Sequence, residues 1–224
     1  NVLLGSAPTA TNNAHDNVTI SGSTDGSVVA VAWSRTTSVT PTSDLRVAII
    51  TNGVAAPETT VVGLASHNAQ GAPIGLTVAP DGSTANVVWL VKNASAQGAM
   101  LASRYASGLW SVTPTTLAAA ALATNATWGP SLAKSSNGQV LTSVWPTKTS
   151  AAPGYAQIAS KRSTDGGITW SASVSVISQG AAANFQAASL ERVGLAASSD
   201  GNTCLLYTSD AADDLLCVDL GGRR

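Results

Sequence analysis

Side chains able to do chemistry are sparse in this chain, so those at recurring positions are the first to weigh. Arg35, Lys92 and Lys148 fall two or three residues after Trp33, Trp89 and Trp145. Three cations at nearly the same place in a recurring pattern could gather at one end of the fold and present positive charge to an anionic group. Arginine does this best, because its planar fork binds a carboxylate through two parallel hydrogen bonds. Arg192 stands beside Glu191, and the candidate carboxylates are Asp44 and Glu191, with Tyr105 and Tyr155 as candidate tyrosines. Paired carboxyl groups are what retaining glycoside hydrolysis requires, but only if they lie close in space, which spacing alone does not establish. The plainer assignment is solvated loop charges, with Glu191 and Arg192 as a surface ion pair.

Other chemistries find little support. His15 and His67 stand apart, without metal-ligand spacing, so no metal is expected. Neither a Gly-rich phosphate loop nor a Ser-centred elbow is present, and no cofactor is implied. Both cysteines lie in the last twenty-one residues. That tail, 204–224, reads CLLYTSDAADDLLCVDLGGRR. It resembles the translated read-through of a transposase-type sequencing adapter, and it is expected to be a non-native addition outside the fold. The remaining segment then holds neither a disulfide framework nor a thiol nucleophile. Setting aside four acidic and two basic tail residues leaves nine basic against eight acidic ones, a net charge of +1. Near-neutrality without basic runs argues against a nucleic-acid partner. The longest apolar run, Leu117 to Ala123, is too short to span a bilayer. With no initiating Met and no signal peptide at its start, the chain is expected to be an internal fragment of a longer protein. The sequons at Asn17, Asn93 and Asn125 are about what chance gives in so Ser/Thr-rich a chain.

The elements that must position these residues show themselves as a repeat. Asp25-Gly26, Asp81-Gly82 and Asn137-Gly138 recur every 56 residues, and Asp200-Gly201 follows after 63. Five residues before each turn stands an aliphatic residue (Ile20, Leu76, Leu132, Leu195), and eight after each of the first three stands the tryptophan. The fourth repeat has Thr208 at that place. Asp-Gly and Asn-Gly between apolar segments predict hairpins with tight primed turns, since both pairs tolerate positive φ. Further strands are expected over Leu45–Ile50, Thr59–Val62, Ala99–Tyr105, Trp110–Thr113, Ala156–Lys161 and Ile168–Val176. Four short strands per unit of about 40 to 55 residues is the pattern of a propeller blade. The fold class predicted is therefore all-β, a partial β-propeller of about 3.6 four-stranded blades over 1–203. The units run roughly 18–73, 74–129 and 130–192, with 193–203 incomplete. A repeated tryptophan of this kind is expected to pack between blades rather than to serve as a sugar-stacking platform.

The stretch Ser163-Thr164-Asp165-Gly166-Gly167-Ile168-Thr169-Trp170 matches the Asp-box, or BNR, motif S-x-D-x-G-x-T-W. It falls between the expected third and fourth strands of its unit, and the chain resembles the sialidase-type β-propellers. Ser107-Gly108-Leu109-Trp110 is a shortened version without the Asp, and the first unit has only Asn52-Gly53. The resemblance implies that Ser163, Asp165, Gly167, Thr169 and Trp170 build a folding element away from any active site. It also implies that a site would lie at the opposite end, on the loops between second and third strands and between blades. Arg35, Asp44, Lys92, Lys148, Tyr155, Glu191 and Arg192 fall in those loops. Family sialidases hold a substrate carboxylate with three arginines and pair a Tyr–Glu nucleophile with an acid/base Asp. No Arg-Ile-Pro motif is present here, and no arginine can be matched individually. The expected function is a secreted or cell-surface bacterial propeller that binds glycans or surface proteins. The alternative is an exo-sialidase whose catalytic residues lie mostly in further blades.

Overall fold

The computed structural model describes residues 14–37, 42–62, 74–92, 97–123, 129–148, 156–172, 175–177 and 193–208. These residues form strands and turns, with no helix among them. The first sheet contains β1 (Ala14–Gly22), β2 (Val28–Thr37), β3 (Thr42–Thr51), β4 (Val54–Ala55) and β5 (Thr59–Val62). The second contains β6 (Gly75–Val78), β7 (Thr84–Lys92), β8 (Gln97–Ala106), β9 (Leu109–Trp110) and β10 (Thr115–Ala123). The third contains β11 (Ser131–Lys134), β12 (Leu141–Lys148), β13 (Ala156–Ser163) and β14 (Ser175–Ile177), and β15 (Val193–Ala197) with β16 (Cys204–Thr208) makes a two-stranded fourth. Within each sheet the strands pair antiparallel in chain order, except that β4 and β5 share β3 as partner and β9 and β10 share β8.

Alternation along each strand sends one set of side chains forward and one back, so a sheet apolar on both faces needs a neighbour on each. Ala30, Ala32, Leu45, Val47 and Ile49 of the first sheet pack against Leu76, Val78, Val87 and Trp89 of the second. The second sheet's other face, with Val88, Leu90, Met100 and Leu117, meets Trp145 and Ala159 of the third. Val144 and Ile158 then meet Val193, Leu195 and Leu206 of the fourth. Trp89 and Trp145 are thus core residues, each turned toward the sheet before it. The repeated aliphatic positions follow suit at Leu76, Leu132 and Leu195, whereas Ile20 of β1 is exposed.

First strands lie next to one another from sheet to sheet and are tied by polar contacts. The Val78 amide donates to Ser21 Oγ at 3.1 Å, Lys134 Nζ donates to the Val78 carbonyl, and Ser131 Oγ donates to the Val193 carbonyl. Where they converge, a cavity of about 160 Å³ is lined by residues of all four, including Thr19, Leu76, Ser131 and Leu195.

Several expectations need correcting. The Asp-Gly hairpins are not primed turns. Gly26, Gly82, Gly138 and Gly201 have φ of 72, 73, 72 and 72°, while the residue before each stays out of the positive-φ region. Keeping that residue right-handed lets its side chain accept the amide two positions on, as Asp25 Oδ1 does from Ser27 at 3.0 Å. Primed geometry occurs instead between the third and fourth strands, at Asn52-Gly53 (φ 49 and 79°) and Ser107-Gly108 (φ 53 and 85°). The long fourth strand of the second sheet is β10, not Trp110–Thr113. Its alanine-rich sequence carries little strand signal, and its pairing with β8 is twice interrupted by register shifts. Ile168 to Ala172 lie outside any strand, and among the described residues the fourth strand is Ser175–Ile177. Beyond 203, Cys204–Thr208 pairs with β15 and buries Cys204 and Leu206 on one face.

Candidate functional site

The two ends of the sheets carry different chemistry. At one end lie the hairpin turns and, beside them, the turns between third and fourth strands. The Asn52 amide donates to the Ser27 carbonyl at 2.7 Å and the Gly166 amide to the Gln139 carbonyl at 2.8 Å, which places both kinds of turn together. The opposite end holds the strand termini Thr37, Thr42, Lys92, Gln97, Lys148 and Ala156.

Arg35 and Asp44 sit at this opposite end as directly facing residues of β2 and β3. They belong to strands rather than a loop, because β2 and β3 run on to Thr37 and Thr42. Arg46, two residues beyond Asp44, projects from the same face of β3. Glu58 precedes β5, whose Thr60 faces Arg46. The four side chains close into one network. Arg35 Nη2 is 3.2 Å and Arg46 Nη2 3.0 Å from Asp44 Oδ2, and Arg35 Nη1 is 3.8 Å and Arg46 Nη1 3.5 Å from Glu58 Oε1. All four are mostly buried, with side-chain exposure of 14 to 24 %. Two guanidinium charges are therefore matched by two carboxylates, and the network is neutral. Its remaining hydrogen-bonding capacity includes Arg35 Nε, Arg46 Nε and Glu58 Oε2, each buried and without a partner among the described residues.

Lys92 and Lys148, also expected in loops, are the last residues of β7 and β12, opposite Gly98 and Ala156. Their backbone positions match Arg35's end of the first sheet, but the fold sets each on a different sheet. Pro146 is accommodated in β12 because it lies beyond the last β11 partner, Ser131, which faces Val144. Tyr155, Glu191 and Arg192 lie outside the described residues. Glu58 carries no signal in the sequence pattern, because its link to Arg46 runs through the β3–β5 pairing. Among the described residues no group of three or more His, Cys, Asp or Glu side chains could hold a metal ion, and no helix is long and apolar enough to cross a membrane.

At the turn end, the Ser163–Trp170 turn joins β13 to β14, as its place in the repeat predicts. Ser163 Oγ donates to Asp165 Oδ1 at 2.8 Å and accepts the Gly167 amide at 2.9 Å. The Thr169 amide reaches both Asp165 oxygens at 2.9 and 3.1 Å, and Thr169 Oγ1 donates to Oδ2 at 2.5 Å. Partial desolvation works against ionisation of Asp165, but the bonds from Thr169, Ser163 and the Ile168 amide outweigh it and hold its pKa down to about 2. The turn also grips the second sheet. The Gly166 carbonyl accepts from Asn86 Nδ2 at 3.2 Å and Arg104 Nε at 3.1 Å, and Trp170 packs on the core between the sheets.

The hairpin turns repeat the same economy. Asp25 has its pKa lowered to about 2 by the Ser23 hydroxyl and by the amide and hydroxyl of Ser27, and Asp200 to about 2 by Ser198 and Asn202. Asp81 is lowered chiefly by the Ser83 amide and hydroxyl, because Ala79 stands where the other turns have serine. A carboxylate so saturated with donors is a poor proton acceptor, so none of these suits acid–base catalysis near neutral pH. Comparison with protein-family models and with curated proteins returned no match to this chain.

Proposed function

We propose that this chain is a run of blades from a secreted or cell-surface propeller of the Asp-box, sialidase-like class, acting as a glycan- or protein-binding module. The support for the propeller is the succession of antiparallel sheets stacked face to face, with first strands adjoining around a shared cavity. The Asp-box assignment rests on the motif and on the closed Ser163–Asp165–Thr169 network.

The observation that carries the binding reading over a catalytic one is the neutrality of the Arg35–Asp44–Arg46–Glu58 network. Taking up a substrate carboxylate needs guanidinium groups with open charge, whereas each arginine here is shared between two carboxylates of the chain itself. Expressed protein should retain glycans or a surface protein without releasing the fluorophore from a sialoside. Release that disappears in Arg35→Ala, with the fold intact by circular dichroism, would replace this reading with the exo-sialidase one.

A further inference from the structure

Two Asn-Gly pairs occur in the described residues, Asn52-Gly53 and Asn137-Gly138, and the fold treats them oppositely. Asn137 is a hairpin residue. Its Oδ1 accepts the Ser135 hydroxyl at 2.7 Å and the Gln139 amide at 3.0 Å, the Gly138 amide donates to the Ser135 carbonyl at 3.0 Å, and Gly138 is buried. Asn52 is exposed at the tip of the two-residue turn between β3 and β4, followed by an exposed Gly53 beside which a Cβ would meet nothing. Among the described residues neither the Asn52 side chain nor the Gly53 amide makes a hydrogen bond; only the Asn52 amide is engaged, on Ser27.

We propose that Asn52 is a site of spontaneous deamidation, and that the hairpin turn protects Asn137 from the same reaction. The Gly53 amide nitrogen, giving its proton to solvent base, attacks the Asn52 side-chain carbonyl carbon. A new C–N bond closes a five-membered succinimide, and the bond to Nδ2 breaks as ammonia leaves with a proton from solvent. Water then opens the ring at either carbonyl. Breaking the bond at the former side-chain carbon yields aspartate, and breaking it at the former main-chain carbon yields isoaspartate. The net exchange is ammonia for water, with no oxidant or cofactor.

Glycine assists because it lacks a Cβ to obstruct closure. At Asn52 the attacking nitrogen and the departing amide are both unengaged and open to solvent. At Asn137 three hydrogen bonds must open first, which slows the reaction by roughly tenfold or more. The aspartate product adds a negative charge to the turn. The isoaspartate product lengthens the main chain within a turn whose two residues both hold positive φ, and so disturbs the β3–β4 pairing.

The inference stands apart from the proposed function and is tested by ageing the folded full chain in mildly alkaline buffer. Peptide mass mapping, with isoaspartate-specific enzymatic methylation, would follow both sites. The expected result is conversion at Asn52, with label on its peptide, at least tenfold ahead of Asn137. In denaturant the two sites should convert at similar rates, and Ser135→Ala should speed Asn137 in the folded chain. An unchanged Asn52, equal rates in the folded chain, or a denatured Asn137 still protected would each overturn the proposal.

Discussion

The two ends of the sheets supply their carboxylates with partners in different ways. At the turn end, Asp25, Asp165 and Asp200 each draw their donors from within four residues of chain. At the other end, Asp44 and Glu58 are satisfied by arginines on β2 and β3, and their network exists only once three strands have assembled. Local donors make a carboxylate independent of the rest of the fold, whereas pairing across strands makes it a reporter of sheet geometry. The first arrangement recurs in every unit, and the second occurs once among the described residues.

The largest expected effect comes from breaking the turn end where it stops being local. A methyl group at Gly167 would overlap the Asn86 side-chain oxygen at a backbone φ of 90°. Gly167→Ala should cost about 2–4 kcal/mol by denaturant titration, combining overpacking with left-handed strain. A loss below half a kcal/mol would mean that the turn does not grip the second sheet. Next comes the opposite end. Arg46→Met strips one guanidinium from both carboxylates while keeping an apolar stem, and should cost about 1–2 kcal/mol, a partly buried pair lying between the surface and interior cases. Asp44→Asn should recover part of that loss in a double-mutant cycle, and strict additivity would dissolve the network into independent pairs.

The smallest effect is in acid. Asp165 has a folded-state pKa near 2 against an ordinary value of 3.8, so its contribution is present above about pH 4 and fades as the pH falls toward 2. Asp25 and Asp200 add losses of the same sign over the same window. Stability should be insensitive to these groups near neutrality, and Asp165→Asn should flatten part of the acid decline. A decline of unchanged steepness in that variant would show that Asp165 plays no part in it.

The repeat was legible because glycine at positive φ is a demand that few other residues meet, and it is met at the same hairpin place in all four units. The turn type was not legible, since Asp-Gly suits either geometry and the choice is made by where the Asp side chain finds donors. The tryptophans at Trp89 and Trp145 declared themselves as core by their fixed register. β10 was hidden by alanines, whose weak strand preference is overridden by pairing with β8. The Arg35–Asp44 contact was hidden because both residues were expected in a loop, whereas β2 and β3 run on to Thr37 and Thr42 and set the two directly opposite. Glu58 was hidden because it joins through a short edge strand whose register begins with a shift at Leu45.

The backward-looking tryptophans bear on how such a chain is made. Trp89 lies against residues of the first sheet and Trp145 against residues of the second, and the Gly166 carbonyl is held by Asn86 and Arg104 of an earlier sheet. Synthesis runs from the amino terminus, and earlier segments have time to fold first. Each newly emerging sheet therefore meets, already in place, the surface that its largest side chain needs. Such directional docking shortens the interval in which a freshly made tryptophan is left in water, and with it the opportunity for aggregation.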